Sequence, residues 1–497
     1  MHSSLWRRHT NTDSLGRKRV SEGKWSIATA ILPGQLTIAF GMFGVIVALP
    51  NIITAFETDV QTVQWVMTGY LVARVLPMPA MGWLVSQFGQ RNLYVLGVLG
   101  TTVSTVLCGL AWSVESLIVF RVVQGVAGAS VMSLGMVMLY EAFPPEQRGL
   151  AMGLFIMVAS LGPTLGQSIG GYLVQQYSWR AIFFLALPSG VLGTVLPLTR
   201  LPRTLPVTEK TFDVPGLCTM TIFLVALLLA LSQGQQYGWT SGYILGLFGI
   251  SSVFLGLFIV TELRVAHPVV HLRLYRNVPF VLASMVVFLY NAGFMGANFL
   301  VALMVQLILD FTPMQAGIIL APGALVMGVV GLMAGHLSDR LKPHRLVCAG
   351  LVLFAIDMYC FSTLSQFVRI GTMTLLVMLQ RGAFGMIYSA SDTAIMRTLP
   401  AADRSMGTGL HNMHRGIAMA FGVALCSVLL EKRLVFHHLL SEGARLVAYQ
   451  DCLLVIGVGF LVALGPAWWS HTRTSPTPQS FSTPQTKSVQ AEKTAEE

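Results

Sequence analysis

The sequence predicts an all-α integral membrane protein with fourteen transmembrane helices, arranged as two six-helix bundles with two further helices inserted between them. Three observations predict it. Only 10% of the residues are charged and 54% are hydrophobic, against about a quarter charged in an ordinary soluble domain. From about Trp25 to Ser470 the apolar residues run almost without interruption, broken by short polar or glycine-rich joints. Only helices or closed barrels cross lipid without stranding backbone polar groups, and the strand alternation of a barrel is absent. The third observation is an internal repeat: GWLVSQFGQR begins at Gly82 and GHLSDRLKPHR at Gly335, each between two apolar runs, an offset of 335 − 82 = 253 residues.

The apolar runs place helices at 27–52, 62–86, 92–112, 116–139, 149–174, 181–198, 216–233, 242–262, 280–306, 314–336, 346–364, 371–396, 407–430 and 452–469. Spread over residues 25–470, fourteen helices take about 32 residues each, so six helices plus two inserted ones give an offset of about 255, whereas a twelve-helix chain would give about 223. The repeat therefore favours an order of six, two, six. The domain reading is a basic N-terminal segment 1–24, a six-helix bundle 25–200, a linker with two inserted helices 201–264, a second bundle 265–470, and a polar tail 471–497 expected to be disordered.

Charge sets the orientation. Alternate joints carry Arg91, Arg148, Arg200, Arg203, Lys210, Arg264, Arg273, Arg276, Arg340, Lys342, Arg345, Arg397 and Arg404, on the same side as the basic first segment, while the opposite joints hold Arg180, Arg369, Lys432, Arg433 and Arg445. The positive-inside rule then puts both termini in the cytoplasm of a bacterial inner membrane. The net charge of +10 reflects this topology and contact with the lipid bilayer, not nucleic-acid binding. The first apolar run is longer than a signal-peptide core and is expected to stay in the mature protein.

Several classes are excluded. The six cysteines lie mostly within apolar runs and form no CxxC pair, so neither a disulfide framework nor a metal site is expected. The chain has no Walker phosphate loop, HExxH or GxSxG motif, so neither enzymatic chemistry nor ATP-driven pumping is expected, and no cofactor.

Within the fifth predicted helix, SLGPTLGQSIGGYL spaces Gly162, Gly166 and Gly170 four residues apart on one face, with Pro163 and Gly171 beside them. Small residues let helix backbones approach closely in lipid, where the hydrophobic effect barely favours one apolar neighbour over another. Proline favours a bend. The segment reads as a close-packed, slightly bent interface helix.

These residues resemble the major facilitator superfamily, and specifically its fourteen-helix drug:proton antiporters, the EmrB/QacA-like multidrug exporters. GPTLGQSIGG resembles the antiporter motif of the fifth helix, and RVVQGVAG, from Arg121 to Gly128, resembles the fourth-helix motif. The loops at Gly82, Gly89 and Arg91, and at Gly335, Asp339 and Arg340, resemble the superfamily's signature loop and its second-half echo. FPPEQRGLAMG, YSWRAIFFLALPSG, the surroundings of Trp239 and HPVVHLRLYRN follow the same pattern, so the similarity covers roughly residues 25–470. The resemblance implies the major facilitator fold, a substrate cavity between two bundles, and alternating access by rocking of one bundle against the other.

An ionisable group in a spanning segment is a functional candidate by default, since it costs roughly 2.5–3.5 kcal/mol at the membrane centre. The candidates for substrate binding or proton coupling are Arg74, Arg121, Asp357, Arg381, Asp392, His411 and Arg415. Arg121 holds the family's fourth-helix arginine position, which the resemblance links to proton coupling or to ordering the cavity; a structural bond to a neighbouring carbonyl is the alternative. Arg74 sits too deep to snorkel and is expected to face the cavity. Asp357 reads either as a protonatable carrier or as an ion-pair partner of Arg381, and Asp392 as mainly structural. His411, His414 and Arg415 share a helix face by their i, i+3, i+4 spacing; a proton relay or local packing fits them better than a metal.

Two departures qualify the resemblance. The family's first-helix acid, nine positions before the proline of the ALP triplet, is replaced by Gly41, and the aspartate of the signature loop by Ser86. The expectation is a secondary transporter exporting small amphiphiles by proton antiport, with the coupling acid moved elsewhere. Four arginines against two aspartates at membrane depth favour neutral or anionic substrates. A uniporter, an uptake symporter for an organic anion, and a non-transport membrane sensor are the other readings, and a periplasmic adaptor partner is left undefined.

Overall fold

Helices account for nearly all of the computed structural model, which describes residues 14–472 apart from 59, 203–212, 266–269, 271, 310, 312, 366–367, 400–403 and 439–443. The basic segment's first residues, most of the linker and the polar tail lie outside the described residues. Among those described there is no strand.

The helices are α1 (Ser14–Phe56), α2 (Val60–Val75), α3 (Met81–Phe88), α4 (Gln90–Gly109), α5 (Val114–Ala142), α6 (Arg148–Gln176), α7 (Ala181–Leu185) and α8 (Leu187–Arg200), then α9 (Val214–Tyr237) and α10 (Gly242–Arg264). They continue with α11 (Val278–Leu303), α12 (Pro313–Arg340), α13 (Pro343–Ser362), α14 (Ile370–Thr398), α15 (Arg404–His438), α16 (Ala444–Val462) and α17 (Leu464–Thr472). Sequence explains several boundaries. Ser113 and Ser116 form a reciprocal capping box that starts α5, and Asp213 caps α9, its carboxylate accepting from Gly216 N at 2.8 Å, with Pro215 in the first turn. Between α3 and α4, Gly89 takes φ = 74°, a left-handed backbone that glycine adopts without strain.

The count of spans differs from expectation. Twelve helices among the described residues are long and apolar enough to cross a membrane, not fourteen. The expected spans at 62–86 and 149–174 are helical but are not among the twelve. The first is broken: α2 stops at Val75 before Pro77 and Pro79, and its 16 residues rise only about 24 Å, short of the roughly 30 Å hydrocarbon layer. The second, α6, keeps its full length of 29 residues, about 43 Å of helical rise, and the count of twelve covers only the described residues.

Helices α1 to α8 pack chiefly on one another, and so do α11 to α17; α9 pairs with α10 and leans on α15 and α2. The two sets meet mainly where α6 crosses α12. There the spacing is set by glycine. A Cβ on Gly153 would stand 2.8 Å from the Leu332 Cα, one on Gly335 would stand 2.7 Å from Gly153 N, and Gly149 and Gly335 abut backbone to backbone. Gly328 faces Ser160 and Gly331 faces Ile156. The glycine face that the sequence singled out is used differently: Gly162 abuts Ala39 of α1, and Gly166 and Gly170 are buried while Gly171 is half-buried.

The same end of the molecule is tied by polar contacts. Asp339, at the end of α12, accepts from Gly149 N at 2.6 Å through Oδ1 and from Leu150 N at 2.9 Å through Oδ2, so a carboxylate of one half caps the positive N-terminus of α6 in the other. Arg404 Nη1 meets Glu141 Oε1 at 3.2 Å. Gly82 of α3 faces Met406, Gly409 abuts the Met78 backbone, and Gly416 faces Val75. Among the described residues, these polar ties and close approaches between halves all fall toward the end where α5 stops and α6, α15 begin, so the halves interlock there.

A leucine at Gly335 should hold α6 and α12 apart. In a chain whose native cysteines are replaced, a cysteine at Ser160, now 1% exposed, should become reactive to a membrane-impermeant maleimide in Gly335→Leu and stay protected in the parent; equal protection would contradict the role given to this glycine.

Candidate substrate and coupling site

Arg121 of α5 is fully buried. Its Nε donates to Val66 O at 3.0 Å and its Nη1 to Gly41 O at 2.8 Å and Gln124 Oε1 at 2.6 Å, while the guanidinium lies 4.2 Å from the centre of the Tyr70 ring. Gln124 in turn donates to Thr105 Oγ1 at 2.6 Å. No carboxylate among the described residues pairs with Arg121. Three bonds to a charged donor, at roughly 1.5–3 kcal/mol each, offset an insertion cost of roughly 2.5–3.5 kcal/mol. At Gly41 the bond is made by the backbone carbonyl, and a Cβ there would stand 3.2 Å from Gln124 Nε2. Arg121 thus ties α1, α2 and α5 together.

Arg74 of α2 is half-buried and differently placed. Its Nη1 donates to Met42 Sδ at 3.4 Å and its Nη2 to Met132 Sδ at 2.9 Å. Thioethers are weak acceptors, so this cation is not compensated as Arg121 is.

In the second half, Asp392 and Arg415 are drawn into one buried cluster. Arg415 Nη2 donates to Asp392 Oδ1 at 2.6 Å, and His411 Nε2 stands 2.9 Å from that same oxygen and 2.9 Å from Arg415 Nη2. One ring nitrogen cannot both donate to the carboxylate and accept from the guanidinium, so the tautomer of His411 decides which bond forms. Arg415 also donates to the Tyr388 hydroxyl and lies 3.9 Å over the Tyr388 ring. Its Nη1 approaches Asn412 Oδ1 at 3.5 Å, and Asn412 Nδ2 donates to Ser133 Oγ of α5 at 3.4 Å. The cluster therefore touches the other half. His414, expected on the same face, turns away: its Nε2 meets the Tyr275 hydroxyl at 2.8 Å.

Asp357 and Arg381 do not meet. Arg381 Nη2 donates to Asn298 Oδ1 at 2.7 Å, with the guanidinium 5.6 Å from the Phe294 ring centre. Asp357 is fully buried on α13, five residues from its end, and neither of its carboxyl oxygens has a hydrogen-bond partner among the described residues. Of its two readings, the ion pair is the one not formed.

The loop residues of the two glycine-led motifs lie at the interlocked end, whereas Gly162 to Gly171 lie along the second half of α6. Gly82 and Gly89 shape the α3 turn, the Arg91 guanidinium donates to the Leu198 carbonyl, and Arg340 is exposed at the close of α12. Arg397 Nη2 lies 3.8 Å from Asp339 and donates to Ser338 O at 3.1 Å. Pro163 sits within helical backbone. Among the described residues no group of three metal-binding side chains occurs.

Sequence reasoning passed over Gln124, Tyr388, Asn298 and Asn412. Gln124 lies inside the quoted RVVQG run and Tyr388 is four residues before Asp392, the spacing that puts two side chains on one helix face.

The structure is thus a helical membrane fold in which two interlocked halves each bury ionic groups. The chain belongs to the major facilitator superfamily, whose family model matches residues 31–423. It is 27% identical over 445 residues to the multidrug transporter protein MdtP of Bacillus subtilis, covering 88% of this chain and 81% of that one. It is 28% identical over 411 residues to the tetracenomycin C resistance and export protein of Streptomyces glaucescens, covering 82% and 76%. Among solved structures, the human organic anion transporter MFSD10 (TETRAN) shares the fold at a TM-score of 0.60 and 15% identity, over 91% of this chain and 99% of that one.

The two aspartates should respond differently to amidation. Asp392→Asn leaves Arg415 buried without a counter-charge and should cost about 3–5 kcal/mol, seen as a clear fall in the thermal unfolding midpoint of the purified protein. Asp357→Asn strands no cation, and its midpoint should stay near that of the parent.

Proposed function

We propose that this chain is a secondary active exporter of small amphiphilic molecules, neutral or anionic, working by proton antiport through alternating access in a bacterial inner membrane with both termini cytoplasmic. It is read as a multidrug-type exporter of the EmrB/QacA kind. The observation that carries the reading is the interlock of the two halves at one end, with the Arg74 and Asp392–His411–Arg415 groups just inside it. The basic joints assign that end to the cytoplasm, so the closed end faces the cell interior. The relatives' printed names, multidrug transport and tetracenomycin C resistance and export, point the same way. Arg74, Arg121 and Arg381 have no carboxylate partner among the described residues, and this excess of positive charge in low dielectric supports anionic or neutral cargo over lipophilic cations.

Gly41 removes the usual first-helix acid, so coupling is assigned to the second half. Asp357 is the preferred proton carrier because no cation engages it, whereas Asp392 is committed to Arg415. Proteoliposomes loaded with a pH dye test the proposal directly. Addition of a transported amphiphile should move the internal pH, and a protonophore should abolish uphill substrate movement. Movement that persists unchanged without the gradient would overturn antiport in favour of a uniporter. In Asp357→Asn the pH response should vanish while membrane insertion is retained; an unchanged response would take Asp357 out of the mechanism.

A further inference from the structure

Arg74 and Tyr388 approach the seam between the halves from opposite sides. Val75, the residue after Arg74, packs on Gly416, the residue after Arg415, and Arg415 holds Tyr388 through both its hydroxyl and its ring. Met132, whose sulfur takes the Arg74 guanidinium at 2.9 Å, adjoins Ser133, to which Asn412 beside Arg415 donates at 3.4 Å. The Arg74 and Tyr388 side chains are half-buried, unlike the fully enclosed Arg121 and Asp392. Because the Tyr388 oxygen accepts from Arg415, its own proton is left to donate, and no acceptor for it is found among the described residues. Arg74 meanwhile offers its guanidinium to two sulfur atoms that compete poorly with an oxyanion.

From this juxtaposition we infer an oxyanion-binding subsite spanning the two halves, in which Arg74 of the first half and the Tyr388 hydroxyl of the second grip the carboxylate or sulfonate head of an amphiphile. This rests on the export reading above and narrows its substrate class. Met42 and Met132 flank the guanidinium with flexible, polarisable side chains that adapt to differing apolar bodies. The charges at the seam are consistent with one anion and not two: Arg415 is matched by Asp392, His411 and His414 have partners of their own, Arg121 and Arg381 are engaged by oxygens within their own halves, and Arg74 is held only by sulfur. A head group held from both sides also links occupancy to the relation between the halves, which a site on one half would not.

The test uses the full chain in proteoliposomes with three probes: naphthalene-2-sulfonate as a permanent anion, ethidium as a cation and chloramphenicol as a neutral molecule. The parent should carry the sulfonate. Arg74→Glu should lower sulfonate flux about ten- to hundredfold, the loss expected for a charged hydrogen bond, and should raise ethidium flux; Arg74→Lys should keep much of the sulfonate flux; Tyr388→Phe should raise the sulfonate KM more than it lowers kcat. Undiminished sulfonate flux in Arg74→Glu would overturn the subsite. Loss of all probes in both Arg74 variants would overturn it too, by making Arg74 structural. A parent that moves ethidium or chloramphenicol but no sulfonate would defeat the subsite and leave export standing, whereas a parent that moves none of the three would defeat export itself.

Discussion

The crossing of α6 over α12 is the contact on which the observed arrangement depends. Two helices in lipid gain little by burying apolar groups against each other, so their association rests on how closely the backbones can approach. Gly149, Gly153, Gly331 and Gly335 remove the side chains that would hold them apart. Asp339 then reaches the unpaired amides of the α6 N-terminus, an interaction that exists only if the backbones are already close. The remaining ties between halves, Arg404 to Glu141 and Asn412 to Ser133, lie on the same side. A superfamily member is expected to open and close at alternate ends, and such a contact suits that demand: it is made of many small terms, polar ties and close backbone approaches together with apolar contacts such as Met78 and Met81 beside Met406 and Leu410.

How much of this the chain announced depends on the kind of signal. The helical membrane class was plain from charge scarcity and apolar run length, because lipid imposes those directly. The number of helices able to span was not: α2 ends at the Pro77 and Pro79 turn, and apolar character alone did not separate α2 from α3. At Gly162, the head of the glycine repeat, the helix that abuts is α1. The closer crossing uses Gly149 and Gly153, which stand in a stretch noticed only for its family likeness.

The candidate site was legible residue by residue and not pair by pair. Each buried ionic group could be found from its cost in lipid, yet the partners are set by tertiary geometry. Asp392 met Arg415 and His411, which the helical spacing of the last two made natural, while Asp357 and Arg381 went separate ways. Arg121 found backbone oxygens, and a carbonyl has no sequence signature at all. Neutral partners such as Tyr388 and Gln124 attracted no attention because only charge had been inventoried.

The way Arg121 is held has an electrical consequence. Amide oxygens carry no formal charge, so Arg121 places a guanidinium inside the first half with no counter-ion among the described residues. Moving one elementary charge through the full membrane potential is worth about 2.3 kcal/mol per 100 mV, so any displacement of this half through part of the field couples its motion to voltage as well as to chemical gradients.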